Sequence, residues 1–212
     1  MAKLVMNMQE LESIRIPTEQ DPWRILLSGC IAGLPCGVDG TDYGMPGAQP
    51  AWFADPRVRT LAFCPEDHGL GTPRRMPDLH GGDGFQVLDE KARILDEERN
   101  DLTAGMLEGA TAMVELAQRE RIDFAVLTDR SAACGSQVIS IGCRLDEPVQ
   151  HVQGVGVATA MLLRHGFHVV SQRDPRTLGF LGAKLDSQYA PGPEVVDHHQ
   201  SPWVLEHFGS DE

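Results

Sequence analysis

Three observations in this sequence predict an α/β protein. Apolar runs at 25–27, 60–64 and 124–128 have the length and composition of short buried strands. Each stops at a turn-forming segment that carries a cysteine: Ser28-Gly29-Cys30, Cys64-Pro65-Glu66, and the stretch DRSAACG with Ser131 and Cys134. Between and beyond them lie stretches of helical periodicity. Alternation of this kind implies a three-layer sandwich around a largely parallel, Rossmann-like sheet, with extensions at both ends. If the strands are parallel neighbours, their carboxyl ends share one edge, where open α/β sheets bind ligands. Three cysteines from distant parts of the chain are then expected to meet at one site.

Residues 1–22 read as an N-terminal extension, with an amphipathic helix marked by Leu4, Met8, Leu11 and Ile14 and ended by Pro17. The first strand gives way to a Gly/Pro-rich loop over 33–47, and 50–58 suits a short helix before the second strand. The segment 68–77, HGLGTPRRMP, is too rich in Gly and Pro for regular structure. Apolar runs at 85–88 and 92–95, separated by Asp89-Glu90-Lys91, suggest a hairpin. Asp101 or Thr103 can cap the next helix. Its Leu102, Met106, Ala110, Met113 and Ala117 follow helical spacing, widened by Leu107 and Val114. A second helix over about 154–164 leads through Gly166 into a strand at 167–171. The α/β domain is thus expected over 23–186. From 187 to 212 Pro, Gly and charge replace periodicity, and this tail is expected to cross the surface of the domain or of a second subunit. His198 and His199 lie in it with no third metal ligand nearby in sequence and are read as surface residues.

Composition narrows the partners. In 212 residues there are 18 Lys and Arg against 31 Asp and Glu, a net charge of −13. Such a surface repels phosphate backbones and anionic membranes, so nucleic acid is a disfavoured partner. No run approaches the ~20 apolar residues of a membrane span. The N-terminus lacks the continuous apolar core of a signal peptide. A cytoplasmic protein, monomeric or homodimeric, is expected. Five cysteines, an odd count, argue against a disulfide framework and for metal binding, catalysis or plain burial.

A free cysteine is most often a small buried hydrophobe, and Cys143, after the apolar VISIG, is read that way. Cys30, Cys64 and Cys134 differ because each ends a strand and is flanked by Gly, Pro or Ser. Cys36, in the same loop as Cys30, is open to three readings: fourth ligand, redox partner or bystander. The spacings match neither paired C-x-x-C zinc ribbons nor clustered ferredoxin ligands. Three scattered thiolates could still hold an iron–sulfur cluster with one iron left open as a Lewis acid.

The ordered motifs carry a more specific signal. Ser28-Gly29-Cys30 with Cys36 and Asp39-Gly40, then Cys64-Pro65-Glu66, Thr72-Pro73-Arg74 and Ser131-x-x-Cys134-Gly135 resemble the thiouracil desulfidase family. Asp101-Leu102-Thr103, Glu108-Gly109-Ala110 and GVGVATA at 154–160 extend the similarity over roughly 24–172. The chain departs from the family at Gly29, where Ala is usual, at Gly37-Val38, where Arg-Tyr is usual, and at Ala132-Ala133, where Pro-Ser is usual.

The resemblance implies a 4Fe–4S cluster on Cys30, Cys64 and Cys134, with the fourth iron free to take sulfur from a small thiolated pyrimidine. It implies non-redox hydrolysis of C=S to an oxo-pyrimidine and sulfide. Glu66 would activate the water or shuttle a proton, or else be a solvated acid. Ser131 would donate a hydrogen bond to substrate or water, or else steady a turn. Ser28, Thr72 and Arg74 would bind substrate, Arg74 by orienting a pyrimidine oxygen unless it pairs with a surface carboxylate. A zinc or thiolate hydrolase, or a non-catalytic carrier of sulfide or a cluster, would use the same cysteines.

Overall fold

The computed structural model describes residues 6, 8–42 and 49–209. Leu4 and residues 43–48 of the first loop lie outside them. Strands β1 (Trp23–Ser28) and β2 (Val58–Phe63) are followed by helix α2 (Pro65–Leu70), helix α1 (Met8–Ser13) having come first. Then come β3 (Asp78–His80), α3 (Gly84–Leu88), β4 (Arg93–Leu95), α4 (Thr103–Glu120), β5 (Phe124–Leu127), β6 (Val138–Ile141) and β7 (Gln150–Gln153). The chain finishes with α5 (Val157–Arg164), β8 (Val169–Ser171), α6 (Pro175–Ala183) and α7 (Pro202–Phe208).

One sheet has the order β2-β1-β5-β8 and is parallel throughout. Alternate side chains leave a strand on opposite faces, and this sheet buries both. Leu26, Ala125 and Leu127 pack with Met106, Ala110, Met113 and Ala117 of α4 and Leu162 of α5. Ile25, Leu27, Phe124 and Val126 face Leu11, Trp52, Leu178 and Leu181, and so the α1 and α6 side. The three-layer sandwich follows from that two-sided burial. Leu11 and Ile14 are buried, as their spacing predicts.

A second sheet, β4-β3-β6-β7, is mixed. Here the expected hairpin over 85–95 is corrected. Residues 84–88 are helical because Asp83 accepts N–H bonds from Phe85 and Gln86, while the Gln86 side chain accepts from the Asp83 N–H. This is a capping box. Arg93–Leu95 pairs instead with Asp78–His80.

The start of the Gly/Pro-rich 68–77 segment also departs from expectation, since α2 takes in His68–Leu70. Pro65 stands at the first helical turn, where its missing N–H costs nothing. Gly71, at φ +81°, ends the helix. The expected helix over 50–58 is a short 3-10 turn, Ala51–Ala54. The helix α6 gave no signal in the sequence reading.

Helices α2 and α4 touch backbone to backbone. A Cβ on Gly109 would stand 1.8 Å from the Pro65 carbonyl oxygen, and one on Gly69 would stand 1.8 Å from that of Gly105. Only glycine permits this approach, and it fixes where α2 begins.

Candidate active site

The three strand ends meet as the parallel register requires. Cys30 follows β1, Cys64 follows β2 as the cap of α2, and Cys134 lies in the loop after β5; all three line one cavity of about 160 Å³. Two devices fix the Cys134 loop. The N–H groups of Gly156, Val157 and Ala158 donate to the carbonyls of Gly135, Ala132 and Ala133, so the start of α5 is satisfied by the loop itself. Asp129 accepts the N–H groups of Ser136, Gln137 and Val138 on its Oδ1.

Cys36 sits 4% exposed in the cavity wall beside Cys30 and Cys64, and its backbone carbonyl accepts the Cys64 thiol at 3.9 Å. A thiol donating to Cys30 holds that group down to about 7, with help from Thr128 and against the cost of burial. The Thr128 Oγ1 stands 2.9 Å from the Cys30 sulfur. Cys64 is lowered by the same Cys36 contact, and the proton-holding Cys36 is pushed up in return. Burial pushes the Cys134 thiol well above its ordinary value, against a hydrogen bond from Ser28. Cys36 therefore lines the same cavity as Cys30 and Cys64. Gly29 leaves the room for it, because a Cβ there would stand 3.1 Å from the Cys36 sulfur.

Glu66 is not a solvated acid. Arg74, its side chain 4% exposed, places Nη2 2.6 Å from Glu66 Oε2, and the Ser131 hydroxyl donates to Oε1 at 3.0 Å. Ser131 Oγ also accepts the N–H groups of Ala133 and Cys134. Ser131 thus steadies the turn and also lines the cavity, its hydroxyl donating to Glu66. Arg74 also reaches Thr72 Oγ1 at 3.0 Å, so its carboxylate partner is inside the site and not on the surface. Ser28 lines the cavity and accepts the Thr128 N–H. Thr72 is placed behind Arg74 and not in the cavity wall.

Sequence reasoning missed Thr128, Asp129, Arg130 and Arg144, which also line the cavity. It also misread His198, which is buried: its Nδ1 lies 2.7 Å from Asp129 Oδ2. The only local signal was the charged pair Asp129-Arg130 at a strand end. Cys143 is half-buried and outside the cavity.

A family model for 2-thiouracil desulfurase matches residues 25–174. The chain belongs to the 2-thiouracil desulfurase family. It is 29% identical over 151 residues to the uncharacterized protein YbbK of Bacillus subtilis (strain 168), covering 71% of this chain and 96% of YbbK. Among solved structures it is similar to the [4Fe-4S]-dependent thiouracil desulfidase TudS, with a TM-score of 0.57 and 32% identity. That match covers 70% of this chain and 90% of TudS.

The donor set fits the cluster named for TudS. Among the described residues, the trio of possible metal ligands lying within 4.8 Å of one another is Asp174, Asp197 and His199, not the cysteines. Asp174 and Asp197 are occupied as acceptors for Gln137, His198 and Thr177. The cysteine trio does not meet that spacing but shares one cavity. Its side chains are soft sulfurs, the donor type that suits iron–sulfur chemistry.

Proposed function

We propose that this protein is an iron–sulfur-dependent thiouracil desulfidase, exchanging the C=S of a small thiolated pyrimidine for C=O and releasing sulfide. The observation that carries the reading is the meeting of Cys30, Cys64 and Cys134 with the Arg74–Glu66–Ser131 chain in one cavity. Cys30, Cys64 and Cys134 would hold the 4Fe–4S cluster. When bound, the cluster supplies an open iron, a Lewis acid for a thiocarbonyl sulfur.

The chain's own groups do the proton work. Arg74 pins one oxygen of Glu66, which leaves Oε1 as the oxygen that exchanges Ser131 for a water. Two backbone N–H groups occupy the lone pairs of Ser131 and so aim its proton at that oxygen. In that position Glu66 accepts a proton as water attacks the thiocarbonyl carbon. The water supplies the oxygen, sulfur departs with the protons, and no electron is exchanged. Ser28 steadies Cys134 and Thr72 steadies Arg74, so their part in binding substrate runs through those neighbours. The free cysteines suit a reducing, cytoplasmic setting.

Anaerobic purification followed by iron and sulfide analysis tests the cofactor, and sulfide release from 2- and 4-thiouracil over many cycles tests the reaction. A colourless zinc protein, or a brown one that makes no sulfide beyond a single equivalent, would overturn the reading.

A further inference from the structure

The C-terminal segment lies beyond the residues 25–174 that match the family, yet it reaches the wall of the cavity. His198 Nδ1 is 2.7 Å from Asp129 Oδ2, with the side chains 6% and 0% exposed. The other oxygen of Asp129 already accepts three loop N–H groups, and His198 stands against the one left over, which has no hydrogen-bond partner among the described residues. A few residues on, Trp203 carries the Arg130 guanidinium 4.0 Å above its ring centroid. Arg130 sits at φ +61°, a left-handed conformation that persists only where the surroundings hold it. Its Nε is buried and without a hydrogen-bond partner among the described residues. Asp129 and Arg130 both line the cavity, immediately before Ser131.

We propose that His198 and Trp203 are positioning residues of the site. The C-terminal segment braces the loop between β5 and β6 from behind, His198 through Asp129 and Trp203 through Arg130. Removing His198 takes the one polar side chain within 2.7 Å away from a fully buried carboxylate oxygen. Asp129 must then turn or admit water, and the three amides it holds loosen with it. Removing Trp203 frees the Arg130 side chain at the cavity mouth. The proposal rests on the desulfidase reading for its kinetic arm only.

The test compares wild type with His198→Ala, His198→Asn, Trp203→Ala and Trp203→Phe, using exposed Glu206→Gln as control. The first readout is amide hydrogen exchange at residues 136–138. It should speed up about tenfold in His198→Ala, return towards wild type in His198→Asn, which keeps an N–H donor, and leave α4 unchanged. The second readout is thiouracil kinetics at equal iron content. Trp203→Ala should raise KM about 2- to 5-fold, and Trp203→Phe should recover most of it. Unchanged exchange in His198→Ala, or a Trp203→Ala variant with wild-type KM, overturns the brace. A wild type that holds iron but releases no sulfide refutes the desulfidase reading instead, and the exchange data still decide the brace. If His198→Ala fails to fold, His198→Leu, which keeps the volume but lacks the N–H, carries the exchange comparison, and unchanged exchange there overturns the brace.

Discussion

At the scale of single residues the proposed function separates sulfur that would hold the cluster from sulfur that would not. Cys30→Ala, Cys64→Ala and Cys134→Ala should each lose the cluster, measured as iron per chain, because the proposed site has three thiolates as its whole protein anchorage. Cys36→Ala and Cys143→Ala should keep it, because neither is among the three proposed ligands. Glu66→Gln and Ser131→Ala should keep iron but lose about 10²–10⁴-fold in turnover. A Glu66→Gln variant working at the wild-type rate would move the proton transfer elsewhere. The three cysteines, Glu66 and Ser131 were legible in the sequence because each follows an apolar run that must end at a sheet edge. Asp129 with His198 was not, because the two residues meet only through the folding of the last segment onto the first sheet.

At the scale of elements the α2–α4 seam decides where Cys64 and Glu66 stand. Gly109→Ala would drive a methyl group into the Pro65 carbonyl, a clash that no side-chain rotation relieves. The expected cost is about 1–3 kcal/mol, read from the denaturation midpoint, with lower turnover because α2 must shift and carry Glu66 with it. A stable, fully active Gly109→Ala would show that the seam is slack. The sheet and the long helix were legible because period-2 and 3.6-residue patterns are strong in them. The elements α2, α3 and α6 were not, since each is short and set by caps or by what it packs on. Asp83 and Gln86 turned an apolar run into a helix that composition alone would make a strand.

For the molecule as a whole, two consequences of charge can be measured. Asp174, 2% exposed, is raised to about 6 by burial and by Asp197 beside it. A carboxyl whose folded value stands above its ordinary one lends stability that is complete below about pH 4. That stability is lost as pH rises through about 6. The stability of wild type relative to Asp174→Asn should therefore fall across that window, by up to about 3 kcal/mol. A pH-independent difference would contradict the assigned shift. The net charge of −13 bears on substrate size. Free thiouracil, or at most its nucleoside, should be desulfurised far better than thiolated tRNA. Comparable turnover of tRNA that falls steeply with added salt would reveal a real phosphate contact, a local strip of arginines overriding the net charge. Among the described residues no helix is long and apolar enough to cross a membrane.

The contact of His198 with Asp129 also sets a clock. A ribosome releases Cys30, Cys64 and Cys134 in turn, and only later the residues that lean on the loop around Cys134. Until then a newborn chain owns every thiol of the site but not the buttress behind the last of them. Cys134 is 5% exposed in the finished protein. In chains stopped short of residue 198 it should react with alkylating reagents that the complete chain excludes.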